Sequence, residues 1–260
     1  MLLAIDLGNT NAVFAVFDEE KLLGQWRIST SVGKSADEYA VWLLSLLQIN
    51  NISPTAIKAV ILSSVVPEAN FAIEQFCKRY FNLLPLLIGS PDLQLPIKIM
   101  LKKAQEVGAD RLVNAIEAWR RYKKPMIIVD FGTATTFDVV DCQGNYIGGV
   151  IAPGVNLSLA ALRKATAKLP NVQVKEPEKV IGTSTVTAMQ SGIYFGYVGL
   201  VEGIVRRIAA EYGMEMKVIA TGGLASLYAT HIAAIEETVS DLTLNGLNYI
   251  YNFNIKREEK

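Results

Sequence analysis

The chain has 260 residues, 51% of them apolar, and 25 basic side chains balance 25 acidic ones, so its formal net charge at pH 7 is zero. A chain of this length suits two compact halves of about 120 residues, each with its own core. The charge balance and the absence of a long basic run argue against nucleic acid as a partner. Two cysteines and one histidine give no indication of a disulfide framework, a zinc site or a histidine-based catalytic triad.

The start of the chain has no targeting or membrane signal. The apolar run Met1 to Ile5 ends at Asp6 and lacks the basic segment and cleavage site of a signal peptide. No stretch reaches the roughly 18 uninterrupted apolar residues that a membrane span needs. We therefore expect a soluble, cytoplasmic protein with no membrane partner.

Apolar periodicity and turn residues predict the elements of the first half. Strands are expected at 2–7, 11–18, 21–28, 56–62 and 83–88, and helices at 36–49, 68–80 and 108–122. In the first helix, Asp37 and Glu38 lie in the opening turn, where acidic side chains favour the helix dipole.

The second half opens with the same order of three strands. Strands are expected at 126–130, 135–141, 145–151 and 216–220 and near 233, and helices at 155–165, 185–212, from 224 and at 241–250. The polar stretch 168–179 contains two prolines and is predicted to be a mobile loop, and the charged tail 256–260 is predicted to fray.

One local pattern occurs twice in the chain. An apolar run ends in an aspartate, a glycine turn follows, and a second apolar run begins, once at Asp6 to Thr10 and again at Asp130 to Thr136. One copy alone is typical of an ordinary hairpin turn, but two copies that each open a similar half indicate internal duplication. The aspartate can hold a cation, the glycine permits close approach of a ligand, and Asn and Thr suit phosphate oxygens. Two such turns facing each other predict a nucleotide clamp.

Two units of the βββαβα type in tandem predict a specific fold class. They describe an α/β protein with the duplicated actin-like ATPase (ribonuclease H-like) architecture and nucleotide in the cleft between the halves. We assign residues 1–115 to the first half, with the first phosphate loop, and residues 116–260 to the second half, with the second phosphate loop.

Five motifs follow one another in an order that is specific as a set, although each is weak to moderate alone. They are Asp6-Leu7-Gly8-Asn9-Thr10-Asn11, Gly108-Ala109-Asp110-Arg111, Asp130-Phe131-Gly132-Thr133-Ala134-Thr135-Thr136, Gly148-Gly149-x-Ile151-x-Pro153-Gly154 and Gly182-x-x-Thr185. With this order and spacing, nearly the whole chain resembles the type III pantothenate kinases. The resemblance implies ATP-dependent phosphorylation of the primary hydroxyl of pantothenate to 4′-phosphopantothenate, the first step of coenzyme A biosynthesis.

The resemblance also implies roles for single residues. ATP binding falls on Asp6, Leu7, Gly8, Asn9, Thr10, Asn11, Ala12, Val13 and Thr133. Substrate binding falls on Gly108, Ala109, Asp110, Arg111 and Thr185. Asp6 is expected to hold Mg²⁺ through water, and Asp130 a monovalent cation, K⁺ or NH₄⁺.

Asp110 is the predicted catalytic base. A carboxylate within hydrogen-bond reach can orient a primary alcohol and accept its proton late in phosphoryl transfer. We expect the neighbouring Arg111 to keep the carboxylate ionised and to hold polar groups of the substrate. In isolation, Asp110 and Thr185 are each equally typical of a helix N-cap. The turn Thr221-Gly222-Gly223 between a strand and a helix is weaker evidence for an adenosine contact.

One stretch departs from the family pattern. Many members carry an aromatic residue followed by Asn-Pro before the Gly-Ala-Asp-Arg motif, where this chain has Met100-Leu101-Lys102-Lys103-Ala104. Either Leu101 supplies an apolar wall without a hydroxyl, or a dimer partner completes the pocket. The resemblance implies such a homodimer, formed by the second half, and the apolar residues of helix segment 193–201 suit either that interface or the core.

Two other functions remain open at this point. The same fold serves kinases of other small alcohols and phosphatases, and some close relatives are described as accessory regulators of transcription. Intact Asp6, Asp110 and Asp130 argue against loss of activity.

Overall fold

The computed structural model describes residues 1–165 and 169–258 and contains two five-stranded sheets with helices packed on them. In chain order the elements are β1 (Leu2–Leu7), β2 (Asn11–Asp18), β3 (Lys21–Ser29), α1 (Ala36–Ile49), β4 (Ala59–Ser64), α2 (Pro67–Phe81), β5 (Leu86–Leu87), α3 (Ala109–Tyr122), β6 (Met126–Phe131), β7 (Ala134–Val140), β8 (Tyr146–Pro153), α4 (Val155–Lys164), α5 (Thr185–Tyr212), β9 (Lys217–Thr221), α6 (Ala225–Ala229), β10 (Glu237–Thr238) and α7 (Leu242–Glu258). Residue 168 of the predicted loop and residues 259–260 of the tail lie outside the described residues.

The two sheets have the same topology. The first has the strand order β3-β2-β1-β4-β5 and the second the order β8-β7-β6-β9-β10. In each sheet the central strand, β1 or β6, pairs antiparallel with the next strand of the chain and parallel with the strand that follows a helical connection. This repetition confirms the predicted α/β fold with internal duplication.

Contacts divide the chain into two compact units. Unit 1 contains Met1–Lys98, Lys102–Arg120 and the chain from Leu242 onward, and unit 2 contains Ile99–Leu101 and Arg121–Asp241. The division differs from the predicted ranges 1–115 and 116–260 mainly at the end of the chain, because α7 belongs to unit 1. Its apolar side chains, among them Leu247, pack in one cluster with those of β1 and α3.

Helix bounds follow from the residues that cap them. The Ser35 hydroxyl accepts a hydrogen bond from the backbone N–H of Glu38, and the Glu38 carboxylate accepts one from the N–H of Ser35, so α1 begins where predicted. A similar box joins Ser184 and Thr187 at the start of α5, which ends at Gly213 with a left-handed backbone. Both helices therefore have the predicted length.

Three predicted elements differ in the structure. Strand β5 is reduced to two residues, and β10 lies at Glu237–Thr238 instead of near residue 233. The predicted fraying of the tail is wrong for residues 256–258, because α7 continues to Glu258. Side-chain and backbone groups of Asn254 and Gln94 exchange hydrogen bonds of 2.9 and 3.0 Å that hold this helix to unit 1. None of the described helices is both long and apolar enough to span a membrane.

The alternation of side chains along β1 determines the face of the first sheet on which Asp6 lies. Leu3, Ile5 and Leu7 belong to the apolar cluster under α1 and α2, whereas Leu2 and Ala4 belong to the cluster formed with α3 and α7. Successive side chains of a strand point to opposite faces, so Asp6 lies on the same face as Leu2 and Ala4. This places its carboxylate on the side of the sheet where α3 begins.

Candidate active site

The first phosphate turn is held by its own backbone and by one threonine. The N–H of Gly8 donates to the carbonyl of Asn11 at 3.0 Å, which closes the turn between β1 and β2. The hydroxyl of Thr30 donates to the Gly8 carbonyl at 2.7 Å, and the N–H of Thr30 donates to the Thr10 carbonyl at 3.0 Å. Thr30 was not among the predicted site residues, since nothing in its local sequence marks it.

The predicted ATP-binding segment 6–13 divides into two kinds of residue. Leu7 and Ala12 are fully buried in the core of unit 1, so only their backbone can contact a ligand. Asn9 and Thr10 at the tip of the turn are exposed. The segment therefore combines buried anchors with an exposed tip, as a phosphate-binding turn requires.

Asp6 stands in a row of side chains that crosses the first sheet. It is paired directly with Val13 of β2 and with Ser63 of β4, and Val13 is paired in turn with Arg27 of β3. Burial raises the pKa of Asp6 to about 7, and the charge of Asp110 adds to the rise, while Ser63 and Arg27 lower it. The charge of Asp110 therefore reaches Asp6 within unit 1.

Asp110 lies in the first turn of α3, which begins at Ala109, so it is not the N-cap residue. Its Oδ1 accepts a hydrogen bond of 2.8 Å from the backbone N–H of Arg111. Burial raises the pKa of Asp110, whereas this hydrogen bond and the charge of Arg111 lower it. Arg111 thus favours the ionised form, in the expected direction, but burial has the larger effect on the pKa.

The two carboxylates provide suitable oxygen ligands for a divalent cation. Mg²⁺ prefers oxygen ligands and is commonly held by one or two carboxylates together with water and substrate phosphates. A second negative charge near Asp6 disfavours the ionised form of both groups, and a bound cation relieves that repulsion.

The predicted second phosphate turn occupies the equivalent place in unit 2 and is one residue shorter. The N–H of Gly132 donates to the carbonyl of Ala134 at 3.1 Å. Asp130, at the end of β6, is paired directly with Thr136 of β7 and with Thr221 of β9. The predicted cation site is therefore flanked on both neighbouring strands by a hydroxyl-bearing residue.

Two glycines pack closely against this second turn. A Cβ atom at Gly222, whose φ is +92°, would overlap Oδ1 of Asp130 and lie 2.7 Å from the backbone nitrogen of Phe131. A Cβ atom at Gly154 would overlap the carbonyl oxygen of Thr133 and lie 2.7 Å from that of Gly132. Thus the Thr-Gly-Gly and Pro-Gly segments both form the walls of the turn that carries Asp130 and Thr133.

Thr185 is the first residue of α5 and is exposed. The N-cap of this helix is Ser184, so the alternative role of Thr185 as N-cap is not observed. Gly182 packs on the start of the helix, where an added Cβ would lie 2.6 Å from the carbonyl carbon of Thr187. The Thr185 side chain therefore projects from a well-defined helix start.

The stretch that departs from the family pattern begins next to a single bridge to β8, an edge strand of the second sheet. Ile99 pairs parallel with Tyr146, and the N–H of Met100 donates to the Tyr146 carbonyl at 2.8 Å. The side chain of Leu101 lies 3.6 Å from the position of a Cβ at Gly148. Leu101 is thus an apolar contact of the Gly148-Gly149 segment within unit 2.

The apolar face of α5 divides between core and surface. Tyr197 and Val201 are buried members of the core of unit 2, and Ile193, Phe195 and Leu200 pack against that core while partly exposed. The sequence alone could not separate the core residues of segment 193–201 from its surface residues, because most of the segment is apolar.

The duplicated sheet order, with an aspartate-glycine turn at each central strand, is the fold of actin-like ATPases and related kinases. Solved structures support this fold. A candidate Baf family transcriptional activator from Campylobacter jejuni matches with a TM-score of 0.58 at 18% identity, over 98% of this chain and 99% of that chain. A ROK family glucokinase from Streptomyces griseus, in complex with glucose and AMPPNP, matches with a TM-score of 0.55 at 10% identity, over 98% and 99%. At these identities the likeness shows the fold alone.

The family follows from closer relatives. The family model of type III pantothenate kinases matches residues 2–207. The type III pantothenate kinase of Rhodospirillum rubrum is 55% identical over 254 residues, which cover 98% of this chain and 99% of the relative. The chain belongs to the type III pantothenate kinase family, and it is accordingly a kinase that uses ATP with a divalent metal ion.

Proposed function

We propose that the protein transfers the γ-phosphoryl group of ATP to the primary hydroxyl of pantothenate, the first step of coenzyme A biosynthesis. The observation that carries this proposal is the carboxylate pair of unit 1, in which the charge of Asp110 acts on Asp6 at the end of β1. The family match over residues 2–207 supplies the acceptor.

Asp110 acts as the base in this proposal. Its pKa is raised by burial, so its carboxylate accepts a proton more readily than an exposed aspartate does. The N–H of Arg111 holds one carboxylate oxygen at 2.8 Å and leaves the other to face the substrate hydroxyl. Gly108, Ala109 and Arg111 bind pantothenate together with Thr185.

Asp6 and the turn that follows it bind the phosphates of ATP, and Asp6 holds Mg²⁺ through water. When bound, the metal neutralises charge on the phosphate oxygens during transfer. The backbone N–H groups and the exposed side chains of Asn9 and Thr10 offer donors to the phosphates.

In the second unit, Asp130 binds a monovalent cation, K⁺ or NH₄⁺, and Thr133 contacts ATP. Support comes from the hydroxyl-bearing residues Thr136 and Thr221 that flank Asp130 on the two neighbouring strands. Oxygen atoms are the ligands that such hard cations prefer.

We propose further that the protein is a cytoplasmic homodimer that forms through unit 2, without nucleic acid or membrane partners. Supporting this, α5 exposes a row of small residues, and Cβ atoms added at Gly192, Gly196 or Gly199 would meet nothing within 4 Å among the described residues. Partly exposed Phe195 and Ile193 lie along the same helix.

The test is pantothenate-dependent release of ADP by the purified protein with ATP and Mg²⁺, first in K⁺ and then in Na⁺ buffer. We expect Asp110→Asn to lower kcat by about 10²- to 10⁴-fold, because the base is lost, and to change the KM for ATP little. A matched control is Asp18→Asn, an exposed carboxylate at the other end of β2 in the same unit. If Asp110→Asn kept a tenth or more of the rate, the role of Asp110 would be wrong. If the folded wild-type protein released no ADP with pantothenate, another acceptor or a regulatory role would be favoured.

A further inference from the structure

We propose that Ser63 is a positioning residue, whose hydroxyl orients the Asp6 carboxylate toward the phosphates and their metal ion. The inference rests on the proposed function to the extent that Asp6 holds the metal. Neither the motifs nor the local sequence around Ser63 points to it.

The register of β1 and β4 places Ser63 next to Asp6. β1 and β4 run parallel, and Asp6 is paired directly with Ser63. Directly paired residues of neighbouring strands point to the same face of the sheet. Ala4 and its partner Ile61, two residues earlier on the two strands, both lie in the cluster formed with α3 and α7. Ser63 therefore lies beside Asp6 on the face where α3 begins.

The burial of Ser63 is a second, independent observation. Ser63 has no exposed surface, and its hydroxyl oxygen makes no hydrogen bond of standard geometry with any described residue. A buried hydroxyl without a partner is costly, and such a group in a native protein commonly serves a site whose other components bind later. The hydroxyl is near enough to Asp6 to lower the pKa of that carboxyl group. The Asp6 carboxylate is therefore the acceptor that the Ser63 hydroxyl serves when the site is occupied.

A third observation is the contrast with the next residue. Ser64 points to the opposite face, where its hydroxyl donates to Oδ1 of Asn70 at 2.5 Å and accepts from the N–H of Val66 at 3.2 Å. Ser64 is thus satisfied by its own surroundings, and Ser63 is not. The pair of serines provides a matched control within one strand.

A fourth observation comes from the internal repeat. In unit 2 the residue paired with Asp130 on the parallel strand is Thr221, which is buried and also carries a hydroxyl. Each phosphate-turn aspartate therefore has a buried hydroxyl-bearing residue at the same position of the neighbouring parallel strand. Both positions are occupied by small β-hydroxy side chains.

The experiment compares Ser63→Ala, Ser63→Cys and Ser64→Ala with the wild type. Mn²⁺ binding to the protein with AMPPNP, in the absence of pantothenate, is measured by electron paramagnetic resonance. Asp6→Asn is the reference for loss of the metal site. Kinetics then separate the metal activation constant from the KM for pantothenate. Unfolding midpoints show that each variant is folded.

We expect Ser63→Ala and Ser63→Cys to weaken Mn²⁺ binding about 10-fold, the effect typical of removing a group that orients a metal ligand. The KM for pantothenate stays within twofold, and the unfolding midpoint does not fall, because a buried unpartnered hydroxyl has been removed. Ser64→Ala leaves Mn²⁺ binding unchanged.

The proposal is overturned if Ser63→Ala, which removes only the hydroxyl, binds Mn²⁺ within twofold of wild type. It is also overturned if Asp6→Asn leaves Mn²⁺ binding unchanged. Because these measurements contain no acceptor, they stand even if the protein phosphorylates a substrate other than pantothenate.

Discussion

The two predicted phosphate turns follow equivalent strands but differ in length and in what surrounds their aspartates. A glycine N–H closes each turn, on Asn11 three residues later at 3.0 Å in unit 1 and on Ala134 two residues later at 3.1 Å in unit 2. In both units the aspartate is the next-to-last residue of the central strand. Asp6 is affected by a second carboxylate, Asp110, which helps raise its pKa to about 7. The Asp130 carboxylate has Gly222 packed closely against it.

The comparison teaches that duplication of a turn does not duplicate its chemistry. Two carboxylates at one site favour a divalent cation, and hydroxyl oxygens beside a carboxylate also suit a monovalent one, so we propose that the two turns bind different ions. Asp110 and Gly222, the residues that distinguish the two surroundings, come from elements outside the turns themselves.

The largest expected effects come from neutralising each aspartate in turn, which tests whether the two turns bind different ions. We expect Asp6→Asn to lower kcat by about 10³-fold, because the metal that stabilises the transferring phosphoryl group loses its protein ligand. Asp130→Asn should lower kcat by only about 10-fold and abolish the difference between K⁺ and Na⁺ buffers. Steady-state ADP release in both buffers measures this. Equal losses in the two variants, with the K⁺ effect intact in Asp130→Asn, would contradict the assignment of different ions.

A smaller effect is expected from filling the space beside Asp130. Gly222→Ala would force Asp130 and Phe131 to move and would place a side chain at φ +92°, at a cost of about 1–3 kcal/mol in unfolding free energy and with loss of K⁺ activation. The adjacent Gly223→Ala is a matched control, since a Cβ there meets nothing within 4 Å among the described residues. Denaturant unfolding and K⁺ titration of the rate measure both variants. If Gly223→Ala is as damaging as Gly222→Ala, flexibility of the turn and not contact with Asp130 is the cause.

The smallest effect concerns folding stability and pH. The pKa of Asp6 is about 7 in the folded protein against 3.8 for an unperturbed aspartate, so the folded state binds more protons between these values. Stability without metal should therefore fall as the pH rises from about 4 to 7. Asp6→Asn removes this penalty, and we expect it to be more stable than wild type at pH 8, with a difference that shrinks as the pH falls and is nearly gone at pH 4.

Urea unfolding in the presence of a chelator measures this difference at both pH values. Asp18→Asn, which changes an exposed carboxylate of the same unit, should show no such dependence. A stability gain for Asp6→Asn that is the same at pH 4 and pH 8 would show that the effect is not electrostatic.

Much of the fold could be predicted because local signals and tertiary structure agree. Helix α1 begins at a Ser-x-x-Glu box, and α5 ends at a glycine, so both bounds were visible in the sequence. Strand β10 was misplaced because two residues of an edge strand carry no periodicity. The length of α7 was underestimated because its charged end is helical only through contacts such as that of Asn254 with Gln94.

Motifs allow site residues to be predicted from the sequence, whereas strand register does not. The family motifs indicated Asp6, Asp110, Asp130 and Thr185. Ser63 is placed by the pairing of β1 with β4, two strands that are separated by more than fifty residues in the chain. The balance between burial and Arg111 in setting the pKa of Asp110 likewise depends on packing that one sequence does not show.

The position of α7 has a consequence for synthesis of the protein. Its residues Leu247 and Ile250 cover the same face of the first sheet as Leu2 and Ala4, and Gly246 packs so closely on Val113 that an added Cβ would lie 2.7 Å from its carbonyl oxygen. During synthesis the strands of the first sheet leave the ribosome before α7 does. The part of this apolar face that α7 covers is therefore exposed to solvent until α7 has been made. Premature termination after Asp241 would leave an intact set of motifs on a unit that cannot finish folding.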